Sequence, residues 1–248
     1  MLECNDLHVG YGSRPVLKEI GLSVDRGMLV SVIGVNGCGK STLLKAMMGL
    51  LSPTEGTVLI DGRAPTYRRR KEIAKQIAYL AQGNHCPPMT VAQAVLLGRY
   101  PHLCFPRDYS KRDRAVAHAA MARMGLTALA DEPLASLSGG MRQKVFVAMA
   151  LTQDTDYILM DEPTTYLDIS HQLELMSTLR ALADEGRGIL TVMHDLPLAF
   201  AFSDRVALLH EGRIAFFGTP STLCETDLLP RIFGVAVEFD GKGYRYLI

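Results

Sequence analysis

Apolar and polar residues alternate over the first two dozen positions. Leu2, Leu7 and Val9, then Val16, Ile20, Leu22 and Val24, predict short half-buried strands with a turn at Gly12-Ser13. From Met28 to Ile33 the alternation stops. Leu29-Val30-Ser31-Val32-Ile33 is an unbroken, β-branched run that predicts a strand buried on both faces. A Gly-rich turn follows, and then a helical segment from Lys40 to Leu50. Val58-Leu59-Ile60 before Asp61-Gly62 predicts a further strand and turn, and Ile77 to Leu80 a strand ending just before Gln82.

The character then changes. Thr90 to Leu97 and Ser110 to Met124 carry helical periodicity, with a loop containing Tyr100, Pro101, Phe105 and Pro106 between them. The stretch from Gly83 into the helix after Ser138 reads as a helical insertion in an α/β domain, which makes 83–153 a subdomain and 1–82 with 154–248 the core. After it, strands are expected at Tyr157 to Met160 and Ile189 to Met193. A helix is expected from Ser170, as N-cap, to Asp184. Val206 to Leu209 and Ile214 to Phe217 predict a hairpin through Glu211-Gly212, and Asp240-Gly241-Lys242-Gly243 a second hairpin turn.

Composition narrows the class. The chain has 248 residues, Lys+Arg 26 against Asp+Glu 26, and 48% hydrophobic residues. That is a folded globular balance, with core enough for one α/β domain. Zero formal net charge argues against nucleic acid as a partner. The one basic run, Arg68-Arg69-Arg70-Lys71, reads as the solvated face of a helix. Five cysteines without a Cys-x-x-Cys pair, and seven scattered histidines, exclude a disulfide framework and a His/Cys metal site. The stretch Met1 to Gly10 lacks the basic start of a secretory signal. No apolar run reaches the ~18 residues that would cross a bilayer, so in any membrane process another chain must do the crossing.

Gly34-Val35-Asn36-Gly37-Cys38-Gly39-Lys40-Ser41 fits Gly-x4-Gly-Lys-Ser, with Thr42 next. Such glycines let successive N–H groups point inward at phosphate oxygens, and the helix that follows adds the positive end of its dipole. In this motif the lysine, Lys40, reaches the β/γ-phosphates and the serine hydroxyl, Ser41, can ligate Mg²⁺. Tyr157 to Met160 then delivers Asp161 and Glu162 to the end of a strand. Asp161 there would hold Mg²⁺, and Glu162 would orient or deprotonate an attacking water.

With these residues in place the chain resembles the ABC ATPase family. Leu137-Ser138-Gly139-Gly140-Met141-Arg142-Gln143 resembles its signature motif, a helix N-terminus that family members offer to the γ-phosphate held by another subunit. Tyr11 resembles the aromatic that stacks on adenine. Gln82 resembles the glutamine that contacts Mg²⁺ and water, Leu167-Asp168 the loop at the dimer interface, and His194 the histidine that contacts γ-phosphate. Val35 departs from the usual proline, and Tyr166 occupies a variable place. The resemblance implies a P-loop NTPase fold of ABC type: a mixed central sheet, an N-terminal antiparallel β-subdomain and an inserted helical subdomain. It also implies Mg-ATP sites shared head to tail by two copies. Lys40, Ser41, Gln82, Asp161, Glu162 and His194 would come from one copy, and Ser138 and Gly140 from its mate.

Asp161 to Gln172, with Gly98-Arg99-Tyr100-Pro101-His102, resembles more narrowly the ATPases of importers for iron–siderophores, haem and vitamin B12. That resemblance implies a peripheral subunit on the cytoplasmic face of the membrane. It would be docked on a permease and served indirectly by a substrate-binding protein. The permease would contact Asn84 to Thr90 and the stretch from Arg99 to Phe105, so charge reversal at Arg99 is expected to weaken that association. A soluble ABC ATPase of iron–sulfur cluster assembly is the alternative. Cys38, within a loop of N–H groups at a helix N-terminus, is expected to favour thiolate and to react with bulky thiol reagents.

Overall fold

The two strand patterns become two kinds of sheet. In the computed structural model, which describes residues 1–65, 70–83, 88–105 and 107–247, the alternating segments are β1 (Leu2–Tyr11) and β2 (Arg14–Val24), paired antiparallel. The unbroken run is β3 (Leu29–Ile33), buried at all five positions. Helix α1 (Lys40–Met47) is shorter than its expected span to Leu50, because Gly49 turns left-handed with φ 75° and stops it. β4 (Glu55–Ile60) adds to β1, giving the order β2-β1-β4. Next come α2 (Arg70–Ala74) and β5 (Ile77–Leu80). Arg68 and Arg69 lie outside the described residues. Lys71 is more than a solvated charge, since its Nζ donates to the Leu103 carbonyl at 2.5 Å.

Helices α3 (Val91–Leu96), α4 (Lys111–Arg123) and α5 (Gly139–Thr152) pack on one another. Capping boxes start the first two, Thr90 with Gln93 and Ser110 with Asp113. Then strands and helices alternate: β6 (Tyr157–Asp161), α6 (Ile169–Asp184), β7 (Gly188–Val192), α7 (Leu196–Phe202) and β8 (Arg205–His210). Ser170 is not the N-cap of α6. Asp168 is, its carboxylate accepting the His171 N–H at 2.9 Å, so the helix starts at Ile169. A carboxylate there both satisfies an orphan donor and faces the positive end of the dipole. β9 (Arg213–Gly218), α8 (Pro220–Cys224) and α9 (Leu228–Phe233) follow, and the hairpin β10 (Ala236–Phe239) and β11 (Tyr244–Leu247) closes the described chain.

The large sheet has the order β5-β6-β7-β3-β8-β9, parallel except for β9. The unbroken apolar runs exist because both faces of this sheet are covered. Leu29, Ile158, Met160, Ile189 and Leu208 face a core shared with α3 to α7. Their neighbours Val30, Val32, Leu159, Leu190 and Leu209 face α1 and the antiparallel sheet. Leu43, Leu44 and Met47 are fully buried in that second core. At about 2 kcal/mol for each side chain removed from water, they fix α1 against the sheet. That packing sets where the turn before α1 must lie.

Candidate functional site

At both ends the turn Gly34–Gly39 runs closer to neighbouring atoms than a side chain permits. A Cβ on Gly34 would lie 2.3 Å from the Leu209 carbonyl oxygen. One on Gly39, whose φ is 112°, would lie 2.7 Å from Leu17 Cδ2. Held this way, the turn forms one wall of a cavity of about 420 Å³. Asn36, Gly37, Gly39, Lys40, Ser41 and Thr42 line it, opposite Gln82, Glu162 and His194. The Lys40 ammonium donates to the carbonyls of Gly34 at 2.8 Å and Val35 at 3.2 Å, which folds its long side chain back over the turn.

Three strands deliver the opposite wall. Gln82 follows β5, Glu162 follows β6 and His194 follows β7, all at the carboxyl ends of adjacent parallel strands. This is where an open α/β sheet places its ligands. Gln82 Nε2 donates to Glu162 Oε2 at 2.6 Å, and His194 Nε2 lies 2.5 Å from Glu162 Oε1. Glu162 thus has a partner on each carboxylate oxygen. Its backbone sits in the left-handed region, φ 53°, which turns the side chain away from the line of β6 and into the cavity.

Asp161, one residue earlier, is buried, and its Oδ1 has no hydrogen-bond partner. Burial pushes its carboxyl above the ordinary carboxylate range, while the Ser41 hydroxyl beside it pulls the other way. An orphaned buried carboxylate oxygen next to a hydroxyl is a donor set that fits Mg²⁺, a hard cation that takes oxygen ligands. The hydroxyl of Tyr79, next to the last residue of β5, is also buried and unpartnered; burial first, and the charge of nearby Asp161 next, push it above the ordinary phenol range.

Other expected residues lie elsewhere. Tyr11 is half exposed at the end of β1 and does not line the cavity. Ser138, Gly139 and Gly140 start α5, where the Ser138 hydroxyl accepts the Met141 N–H at 3.3 Å, and they too lie off the cavity. Asp168 is taken up by His171: the His171 backbone N–H first, and then the imidazole, whose Nδ1 is 2.8 Å away, hold its carboxyl below the ordinary range. Two expectations are corrected. Cys38 is no reactive thiolate: its side chain turns into the core against Gly34, and burial pushes the thiol up rather than down. Arg99 is not a docking contact. It is 7% exposed, its Nε donates to Asp113 at 2.9 Å and its Nη1 to the Thr152 carbonyl at 3.2 Å. Asn84 to Pro87 of the expected permease contact lie outside the described residues. Val16 was missed. It lines the cavity only because β2 folds across the turn, which no motif in the sequence reports.

The ABC transporter family model matches residues 17–165. The chain belongs to the ABC transporter family. A petrobactin import ATP-binding protein of Bacillus anthracis is 40% identical over 94% of this chain and 86% of its own length. The ferric enterobactin transport ATP-binding protein of Escherichia coli (strain K12) is 39% identical over 94% and 87%. An ATP-binding cassette solved as a dimer after hydrolysis, with bound ADP and Pi, has a TM-score of 0.78 at 27% identity over 89% of this chain and 99% of that one. This ABC protein is therefore an ATP-binding, ATP-hydrolysing subunit. Nothing in these relatives favours the iron–sulfur assembly alternative. No helix among the described residues is long and apolar enough to cross a membrane.

Proposed function

We propose that this chain is the ATPase of an importer for an iron chelate, siderophore or haem, or for vitamin B12. The observation that carries the site reading is Glu162, held at once by Gln82 and His194 and facing the Lys40 turn. In this reading Asn36 to Thr42 offer backbone N–H groups to the phosphates and Lys40 neutralises the β/γ oxygens. Ser41, Asp161 and Gln82 would hold Mg²⁺, which when bound neutralises charge on the transferred phosphoryl group. Glu162 orients or deprotonates the attacking water, Gln82 holds that water, and His194 contacts the γ-phosphate oxygens. Cys38 contributes only its backbone. Tyr11 stacks on adenine beyond the cavity mouth.

Ser138, Gly139, Gly140 and Asp168 belong to the site of a second copy, which is why they stand apart from the cavity of their own chain. Residues 83–153 act as the helical subdomain. Tyr100, half exposed, and Phe105, 96% exposed, stand on its surface beside Arg107, which donates to the Tyr100 hydroxyl at 2.6 Å. They replace Arg99 as the contact for a membrane permease. The chain then sits peripherally on the cytoplasmic face of the membrane, and a substrate-binding protein chooses the cargo.

The test is affinity purification from detergent-solubilised membranes, with Glu162→Gln as bait and ATP present. A multi-span permease, with uptake of a ferric siderophore lost in cells lacking this chain, supports the reading. Recovery of soluble assembly factors alone refutes it.

A further inference from the structure

His194 sits in a three-residue connection between β7 and α7, and that connection is tied at both ends. On the strand side the Met193 N–H donates to the Val32 carbonyl at 3.1 Å. On the helix side α7 presents orphan N–H groups, as every helix start does. Asp195 takes one of them, from Leu198, at 2.8 Å. The N–H of Leu196, the first residue of α7, is taken from far along the chain: it donates to the Tyr246 hydroxyl at 3.3 Å.

Tyr246 lies on β11, and the same strand grips α7 further along. The Tyr244 ring meets buried Phe200 edge-on, centroids 5.5 Å apart at 82°, and is itself backed by Phe239 at 5.2 Å. The terminal hairpin therefore holds α7 at its first residue and again one turn on. Two tyrosines of one short strand do both, and neither touches the cavity. Helix starts are otherwise satisfied by local caps or water, so a phenol recruited from 50 residues away constrains where this helix begins.

We propose that Tyr246 is a positioning residue for hydrolysis: through Leu196 it fixes the start of α7 and so the reach of His194 toward Glu162. The inference rests on the role proposed for His194. It also assigns work to the terminal hairpin, which none of the ATP motifs includes.

The experiment compares ATP turnover and nucleotide affinity in the 248-residue chain, Tyr246→Phe, His194→Ala and the double variant. Phe keeps the ring packing and removes only the hydroxyl. Tyr246→Phe is expected to lower kcat roughly three- to ten-fold while leaving nucleotide affinity within about two-fold. In the His194→Ala background the same change should cost nothing further, because there is no imidazole left to position. An equal fold-loss in both backgrounds overturns the inference, since the hydroxyl would then act on the fold and not through His194. No loss in the single variant overturns it as well. Full turnover in His194→Ala defeats the histidine's own role, and the inference falls with it, on a result in which Tyr246 takes no part.

Discussion

Replacing Arg99 by Ala should cut stability without touching the ATP site. Arg99 is buried, with Nε 2.9 Å from Asp113 Oδ1 and Nη1 3.2 Å from the Thr152 carbonyl. Removing one partner of a buried ion pair costs about 3–5 kcal/mol, because the other charge stays behind unpaired. Here the loss falls at the lower end, about 3 kcal/mol, because Asp113 keeps the Ser110 N–H at 2.9 Å and hydroxyl at 2.6 Å on its other oxygen. For a domain of this size that is a fall of about 6–12 °C in Tm. Asp113 also sets the pH dependence. The Ser110 hydroxyl first, and Arg99 next, hold its carboxyl down at about 2. A carboxyl lower in the folded than in the unfolded chain binds fewer protons when folded. Its contribution is therefore whole above about pH 4 and is lost as pH falls toward 2. In Arg99→Ala that acid-side loss should shrink. Thermal melts from pH 2.5 to 7 measure both effects. An unchanged Tm together with lost permease association would refute the buried-pair argument and restore Arg99 as a docking residue.

Glu162→Gln should lower phosphate release by at least about 100-fold while leaving nucleotide binding within a few-fold, since general-base catalysis contributes on that scale; equilibrium binding against single-turnover kinetics reads the difference. Lys40→Ala should weaken ATP binding by at least about 30-fold, the equivalent of losing a charge-assisted contact of ~2 kcal/mol, measured by titration with a fluorescent ATP analogue. Among the described cysteines, a maleimide on the native protein should label exposed Cys104 first and reach buried Cys38 and Cys4 only on unfolding, with peptide mass spectrometry locating the adduct; early labelling of Cys38 would mean that its thiol is not packed as described.

Local signals were legible wherever chemistry is carried by neighbours in sequence. Gly34 to Thr42 could be read as a candidate phosphate turn, because the residue types that motif requires stand side by side between a strand pattern and a helix pattern, and the structure places the turn on the wall of the cavity. The helical stretches beginning at Thr90 and Ser110 were legible from their periodicity, and the structure adds the capping boxes that start them; at α6 the expected cap, Ser170, gave way to Asp168 two residues earlier. Gln82, Asp161, Glu162 and His194 could be placed at strand ends one at a time. That they converge follows from strand order, β5-β6-β7-β3, which periodicity does not encode.

What the sequence determined by itself was which strand faces are apolar, roughly where the strands of the sheets run, and which residue types stand in the turn from Gly34 to Thr42. Tertiary structure alone decided what each exposed-looking group does. A cysteine in a loop of N–H groups should ionise, yet Cys38 turns into the core, and burial outweighs the local dipole. An arginine in a polar loop should be solvated, yet Arg99 finds Asp113 fourteen residues on and Thr152 fifty-three on. A tyrosine near the end of the chain caps the helix that follows the site histidine. Desolvation and long-range hydrogen bonds depend on what packs around a group, and packing is fixed only when all the elements are in place.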